Sequence, residues 1–578
     1  MIDHTAAARL NGELDLTAKL VLGAGATVAA YLIAAPLGML LLAAFRGPAD
    51  LLPFEPGARW TLEHFSAIYS DSALYRRVIP DTLTFVLSSV ALTFAIAFTL
   101  AWLVERTDLP WRNLWFSLIL LPLLVPAVVL AAAWIFLFGP NAGWANVWLR
   151  GLFGLQGTGP ANIFSMPGLI VCQALASVPF VFLLLGPPLR SMNPALEEAS
   201  GTSGGSATTT FLRVTLPVLL PGLLAPLILA LLITLEQIEL PLIIGLPAQI
   251  NVFSYRIWYE LNPSSGLPNY GGAAAVGLPF LAIGMLLLQA YNSAIRRASS
   301  YVTVTGKAWR QTRLPLGRWR LPALAFVASY VAAAAILPAL VLIWTGFFGY
   351  ATPSFDSLAK FSLGAYRALL GNRLFWLGLQ NTALVAFLSA LIITAIGGIL
   401  AWIIVRTDFW GRRIVDFVSF MSLGIPSVIA GLGIMLLYLS VPIGVYGTVW
   451  ILVLGYSYRL AVTTRIARAG LMQIHRELEE ASAAAGARWI TTQRRIVLPL
   501  LLPTLASGFI LLFITGVREF TMGLILYSQD NVVLSVLLWR LLESGDSAPA
   551  AALSTLIIFA VLPVVFILRR LFAPSAEK

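Results

Sequence analysis

The amino-acid sequence predicts an all-α membrane protein of about twelve transmembrane helices, built as two parallel six-helix repeats. Three observations predict it: an apolar composition, a series of apolar stretches of spanning length, and an internal repeat that runs through both halves. Of 578 residues, 59% are hydrophobic and only 11% are charged, and the mean hydropathy is +0.87. A soluble chain of this length would carry about 25% charge, so the charged residues are too few to cover a water-facing globule.

A spanning helix needs roughly 20 apolar residues. Such stretches fall near 20–45, 79–104, 114–138, 168–186, 217–241 and 272–294, and again near 321–346, 377–405, 414–439, 445–464, 499–517 and 550–568. The first, Leu20 to Phe45, is too long for the apolar region of a cleaved signal peptide and reads as a membrane anchor.

The rest of the composition removes other classes. Cys172 is the lone cysteine, which rules out a disulfide framework or a multi-cysteine metal site. His4, His64 and His475 are scattered and give no zinc spacing. The net charge is +11, and a basic membrane protein holds that excess in cytoplasmic loops, so it points to topology and the lipid bilayer rather than to nucleic acid. Ile295 to Arg320 carries Arg296, Arg297, Lys307, Arg310, Arg313, Arg318 and Arg320 with no acid, and Arg569-Arg570 follow the last stretch. The loop from Arg46 to Val78 instead balances four arginines against Asp50, Glu55, Glu63 and Asp71. This asymmetry puts both termini and the central linker on the cytoplasmic side of an inner membrane.

The repeat sets the organisation. Ala101-Trp-Leu-Val-Glu-Arg-Thr-Asp108 recurs as Ala401-Trp-Ile-Ile-Val-Arg-Thr-Asp408, an offset of 300, which also relates Asp81-Thr82 to Asn381-Thr382 and Pro126 to Pro426. Leu-Glu-Glu-Ala-Ser at 196–200 recurs at 478–482, an offset of 282 shared by Leu216-Pro217 and Leu498-Pro499. The first half therefore holds 18 extra residues, assigned to the external loop from Gly139 to Pro167. An equal and even number of spans in each half makes the repeat parallel. Residues 1–294 form the first half, 295–320 a basic linker and 321–578 the second half.

One pattern inside the repeat carries function. Glu198-Ala199-Ser200, Gly204 and Val214-x-Leu216-Pro217 have the same spacing as Glu480-Ala481-Ser482, Gly486 and Ile496-x-Leu498-Pro499. Both copies lie in loops, about 187–216 and 465–498. The pattern resembles the cytoplasmic EAA loop of type I ABC importer permeases, E-A-A-x3-G-x9-I-x-L-P, and the resemblance covers about Asp81 to Tyr291 and Asn381 to Arg570. It implies the type I ABC importer permease fold. It also implies that Leu196, Glu197, Glu198, Ala199, Ser200 and Gly204, with Leu478, Glu479, Glu480, Ala481, Ser482, Ala485 and Gly486, couple the pore to an ATPase. A short helix can seat in a partner's groove when its contact face is small, and Ala481 to Ala485 supply such a face. A single copy would read equally as an interfacial helix joining two spans; two matched copies favour docking. Gly201, Gly204 and Gly205 crowd the first copy, and interior glycine weakens a helix, so the first segment is expected to be the shorter or looser.

Phosphate cradling needs G-x4-G-K-[ST], and the chain's one Gly-Lys, Gly306-Lys307, has Tyr301 in place of the first glycine. ATP and magnesium are thus expected on a partner subunit, and the chain itself is expected to be a transport subunit and not an enzyme.

Glu236, Glu239, Arg518 and Glu519 mark the outer ends of the fifth and eleventh stretches, and an offset of 280 aligns Glu239-Leu240 with Glu519-Phe520. Charges at membrane depth line a cavity or pair with one another. Either they form a substrate path or outer gate, or Arg518 and a glutamate make an ion pair that holds the halves together. Pro126 and Pro426 sit at matched places within spans and predict a shared kink. Trp144, Trp148, Trp258 and Tyr259 read as interfacial anchors.

A twelve-span secondary transporter is the alternative class. Asp408-Phe-Trp-Gly411-Arg412-Arg413 resembles the D-R-x-G-R-R loop of major facilitators, but the matching first-half loop reads Asp108-Leu-Pro-Trp-Arg112-Asn113. Two permease halves fused in one chain resemble the ferric-iron importer permeases and their relatives for thiamine, phosphonates and polyamines. That resemblance implies two copies of a cytoplasmic ATP-binding subunit and one periplasmic substrate-binding protein as partners, with ferric iron as the expected substrate and thiamine, a phosphonate or a polyamine as alternatives for the same machinery.

Overall fold

Prolines mark several of the places where the helices of this protein break or widen. The computed structural model describes residues 16–572 apart from 49–50, 264–265, 301–312, 350–351, 354, 409 and 442. His4, Gly306, Lys307 and Arg310 lie outside the described residues, as do the side chains of Arg297, Arg569 and Arg570. In the first half the principal helices are α1 (Leu16–Phe45), α2 (Leu74–Arg106), α3 (Arg112–Leu124), α4 (Ala127–Phe138), α5 (Met166–Ser191), a short α6 (Ala195–Thr202), α7 (Ala207–Glu236) and α8 (Tyr270–Arg296). The second half holds α9 (Gly317–Phe348), α10 (Arg373–Arg406), α11 (Arg412–Met421), α12 (Ser427–Ser440), α13 (Val449–Tyr456), α14 (Leu460–Gln473), a short α15 (Glu477–Ala484), α16 (Trp489–Arg518) and α17 (Ser547–Phe572).

Eight of the predicted stretches are single helices of spanning length among the described residues. The third, ninth and tenth are not single spans: each is divided into two helices. Pro126 and Pro426 are therefore breaks rather than kinks. The residue before a proline is pushed out of the helical region, and Val125 is extended (φ −96°, ψ 132°). Pro126 and Pro426 themselves are extended at ψ 141° and 139°, each capping the start of the next helix. Across the first break α3 and α4 meet at 99°. The tenth stretch breaks without proline, between α13 and α14, where the Ala461 amide donates to Ser422 Oγ at 3.0 Å.

Other prolines are absorbed inside helices by a wider turn. Proline has no N–H to donate to the carbonyl four residues back. Before Pro80, Pro217, Pro338 and Pro499 the preceding amide bonds five residues back instead: Ile79 to Leu74, Leu216 to Phe211, Leu337 to Ala332 and Leu498 to Gln493. The Leu-Pro of each repeated motif thus opens a π-turn, a single wide turn, at the base of α7 and α16.

The two sequence halves interleave. Helix α1 packs on α12 and α10 of the second half, and α9 packs on α3 and α4 of the first. Gly433 permits the first contact: a Cβ there would lie 2.5 Å from the Pro36 carbonyl oxygen. Tyr31 and Tyr438 join hydroxyls at 3.2 Å across it. On the other side, Trp134 Nε1 donates to the Ala333 carbonyl at 3.4 Å and Trp144 meets Trp344 edge to face. Trp144 is therefore a packing residue, while Trp148 is 76% exposed.

Candidate coupling segments and intramembrane charge cluster

The two short helices are alike to the level of single hydrogen bonds. Each has eight residues, and no residue of α6 or α15 is fully buried. The expected shortening of the first segment is not found, because tertiary bonds hold it. Glu197 accepts from Arg106 at 2.5 Å and from Thr215 Oγ1 at 2.8 Å. Glu479 accepts from Arg406 Nε at 2.7 Å, and Arg406 also donates to the Leu471 and Ile474 carbonyls at the end of α14. The ionised groups of both pairs are largely buried: 5% and 14% exposed for Arg106 and Glu197, 9% and 10% for Arg406 and Glu479. Each short helix is thereby clamped to the end of a long one, α6 to α2 and α15 to α10. A second first-half pair, Arg190 with Glu105 at 2.5 Å, ties the end of α5 to α2.

The motif serines have a defined part. Ser200 and Ser482 stand where the E-A-A pattern has its second alanine, and their hydroxyls bond Thr210 and Thr492, both at 2.8 Å. These bonds fasten the short helices to the starts of α7 and α16. The motif glycines end the helices. Gly204 and Gly486 have φ of +82° and +80°, a left-handed conformation that favours glycine at a helix C-terminus. The next amides, Gly205 and Ala487, reach back to the Ser200 and Ser482 carbonyls at 2.9 and 3.1 Å.

With Glu197 and Glu479 turned inward, the outer faces hold the remaining motif residues. Leu196 and Leu478 are 43% and 44% exposed. Glu198, Ala199, Glu480, Ala481 and Ala485 are exposed beside them. An apolar leucine flanked by small residues, on a clamped helix, is a surface made for a groove.

The second site is a cluster of charges within the helical body. Helices α7 and α16 end at Glu236 and Arg518, which the motif offset of 282 makes equivalent; Gln237 then matches Glu519. The alignment of Glu239 with Glu519 is therefore replaced by one two residues away. Glu236 accepts from the Ser427 amide at 3.3 Å, beside Pro426. Arg518 donates to the Val125 carbonyl at 3.2 Å, beside Pro126. A helix break leaves such backbone groups without a helical partner, and here each is met by a side chain of the opposite half. Glu239 accepts from Gln237 Nε2 at 2.5 Å.

The expected ion pair of Arg518 with a glutamate is not among the described salt bridges; Glu519 pairs instead with Arg459 at 2.8 Å. Arg459 also donates to Ser427 Oγ at 2.6 Å. Glu519 is further held by the Met522 amide at 3.3 Å, and Tyr456 and Ser535 donate to its backbone carbonyl at 3.1 and 2.9 Å. The structure thus gathers Glu236, Glu239, Arg518, Glu519, Pro126 and Pro426 in one region. It adds Arg459, Ser427 and Val125, which the sequence reading missed. Arg459 had a signal: it is a charge inside the predicted 445–464 span. Arg106 and Arg406 had one too, as a repeated charge in the 101–108 and 401–408 segments. The bond partners on backbone had none.

Residues 393–578 match the family model described as the binding-protein-dependent transport system inner membrane component, a region that contains the second short helix and its clamp. The chain is 26% identical over 497 residues to the ferric transport system permease protein FbpB of Actinobacillus pleuropneumoniae, covering 85% of this chain and 70% of that protein. It is 27% identical over 471 residues to the putative ferric transport system permease protein FbpB 1 of Haemophilus influenzae, 80% of this chain and 72% of that one. A probable ABC transporter permease of Sinorhizobium fredii is 27% identical over 78% of this chain and 79% of its own length. This chain carries that family's domain in its second half. It is a fused permease, with both halves in one polypeptide, and a multi-pass inner-membrane component of a binding-protein-dependent transport system. The secondary-transporter alternative is thereby set aside. Its one supporting motif makes local contacts among the described residues: Arg412 pairs with Asp408 and donates to the Thr407 carbonyl at 2.8 Å.

Proposed function

We propose that this permease imports ferric iron, delivered by a periplasmic binding protein and driven by two copies of a cytoplasmic ATP-binding subunit that holds ATP and magnesium. The observation that carries the coupling role is the matched pair of clamped, outward-facing helices, α6 and α15, none of whose residues is fully buried. Closure of the ATPase dimer would draw the two helices together. Because Arg106–Glu197 and Arg406–Glu479 tie them to α2 and α10, the displacement would pass into long helices without bending a loop. Both termini and the linker face the cytoplasm with these helices.

The charge cluster serves as the gate of the translocation path. Glu236, Glu239, Arg518 and Glu519 lie where the two proline breaks at Pro126 and Pro426 bring one half against the other. Contacts of this kind, single bonds from side chain to backbone across the repeat axis, can be released without unfolding either half. Iron as the substrate rests on the two ferric transport relatives, which match four fifths or more of the chain.

The test uses the permease expressed with its ATPase subunit and binding protein. Wild type should retain the ATPase on affinity capture and take up radioactive ferric iron in an ATP-dependent manner. Loss of ATPase capture from wild type would refute the importer reading. ATPase capture with uptake of another ligand in place of iron would refute the substrate alone.

A further inference from the structure

Arg459 has no counterpart in the first half. Helices α5 and α14 end equivalently, at Ser191 and Gln473, with Met192 and Ile474 as the next residues. Counting back at the same offset places Ser177 opposite Arg459. Ser177 accepts from Gln173 Nε2 within its own helix at 2.9 Å, and α5 runs unbroken through that position. In the second half the chain breaks there, and Arg459 sits at the start of α14.

From that position Arg459 holds both sides of the gate region. It pairs with Glu519 at the end of α16 and donates to Ser427 Oγ at the start of α12. Ser427 is the residue whose amide is held by Glu236 of the first half. At its other end α14 stops beside α15, with Arg406 bonding the Leu471 and Ile474 carbonyls while it clamps Glu479. A helix of 14 residues, about 21 Å long, therefore runs from the gate charges to the clamp of the second coupling helix. The first half has the clamp but no charge at the far end of the matching helix.

We infer that Arg459 is a positioning residue that transmits movement of the second coupling helix to the gate, so that the gate is driven from one half only. This inference rests on the coupling and gate roles proposed above. When α14 shifts with α15, Arg459 carries Glu519 and Ser427 with it and the Glu236 contact is released. Thr515, half-buried, and Ser389 line the small cavity beside Arg459 and Glu519, so movement of the gate changes access to Thr515.

The experiment labels Thr515→Cys, in a Cys172→Ala background, with a membrane-impermeant maleimide in the ATPase-bound complex reconstituted in vesicles, with and without ATP and vanadate. With Arg459 intact, nucleotide should change labelling about tenfold, the scale of a typical coupling energy. Arg459→Gln should abolish that response while ATP is still hydrolysed, and Ser177→Ala should keep it. Breaking a buried pair can destabilise the fold, so Arg459→Gln/Glu519→Gln supplies a neutral pair of similar shape, which should also lose the response. A full response in that double variant, or equal loss in Ser177→Ala, overturns the inference. No response with Arg459 intact, although the ATPase is bound and active, overturns the gate reading instead.

Discussion

Glu236 and Arg518 occupy the same place in the two halves, and each bonds the backbone at the proline break of the other. Glu236 takes the Ser427 amide at 3.3 Å, and Arg518 gives to the Val125 carbonyl at 3.2 Å. The charges are opposite because the backbone groups are opposite: a helix start offers N–H, and a helix end offers C=O. The repeat is thus symmetric in shape and antisymmetric in charge.

That relationship predicts the result of a charge exchange. Arg518→Ala should lower transport about tenfold, the scale of one hydrogen bond to a charged group, while Arg367→Ala, in the segment between α9 and α10, should leave it near wild type. The exchange Glu236→Arg with Arg518→Glu should not restore transport. It would set a cation against the Ser427 amide and a carboxylate against the Val125 carbonyl. Recovery of uptake in the exchanged protein would show instead that the two side chains act as an ion pair.

The clamps predict a stability effect separable from docking. Arg406→Met leaves Glu479 largely buried without its partner, and removal of one member of a buried pair costs about 3–5 kcal/mol. Thermal unfolding of the purified permease should fall accordingly. Arg406→Met/Glu479→Met should regain most of that stability yet still couple poorly, since α15 is no longer tied to α10. Normal ATP-driven uptake in the double variant would remove the clamp from the mechanism.

On the proposed docking faces, Ala481→Glu would place a carboxylate where the partner's groove has to accept a methyl group, and burying it unpaired is unfavourable. ATPase recovered by affinity capture should drop strongly, with membrane insertion unchanged. Ala199→Glu should do the same in the first half, because α6 is as long as α15 and as firmly bonded to its neighbours. Full ATPase capture by Ala481→Glu would refute docking at α15.

Glycine at the helix ends gives a finer test. A Cβ at Gly486 meets open space, but φ of +80° strains it; the left-handed region costs an ordinary residue about 1–2 kcal/mol. Gly486→Ala should weaken ATPase capture, and Gly486→Asn, which tolerates that region better, should weaken it less. Equal capture by both would mean that this turn does not position α15.

Topology is tested directly. A reporter inserted at Gly306 should be cytoplasmic and one at Pro56 periplasmic. External labelling of Gly306 in intact cells would invert the proposed orientation.

Much of this molecule was legible in the chain. Composition and stretch length predict a helical membrane protein because apolar side chains exceed what a soluble surface can hide. The repeat predicts two like halves because equal motifs at equal spacing fold alike. The two matched short helices follow from the same logic, whereas the glycine that ends each one and the serine that fastens it to Thr210 or Thr492 emerged only in the structure.

What needed the tertiary structure is where unlike segments meet. Pro126 and Pro426 announce an interruption, but whether it becomes a kink, a wide turn or a 99° break depends on what receives the freed backbone groups. Here those groups are met from the other half, 191 and 393 residues away in sequence, by Glu236 and Arg518. Likewise Arg459 reads as a charge within a span, and only packing gives it Glu519 as partner and Ser427 as anchor. Local propensity and periodicity act between near neighbours and are therefore written along the sequence. The pairing of a buried charge is settled by which groups the fold brings within hydrogen-bond reach.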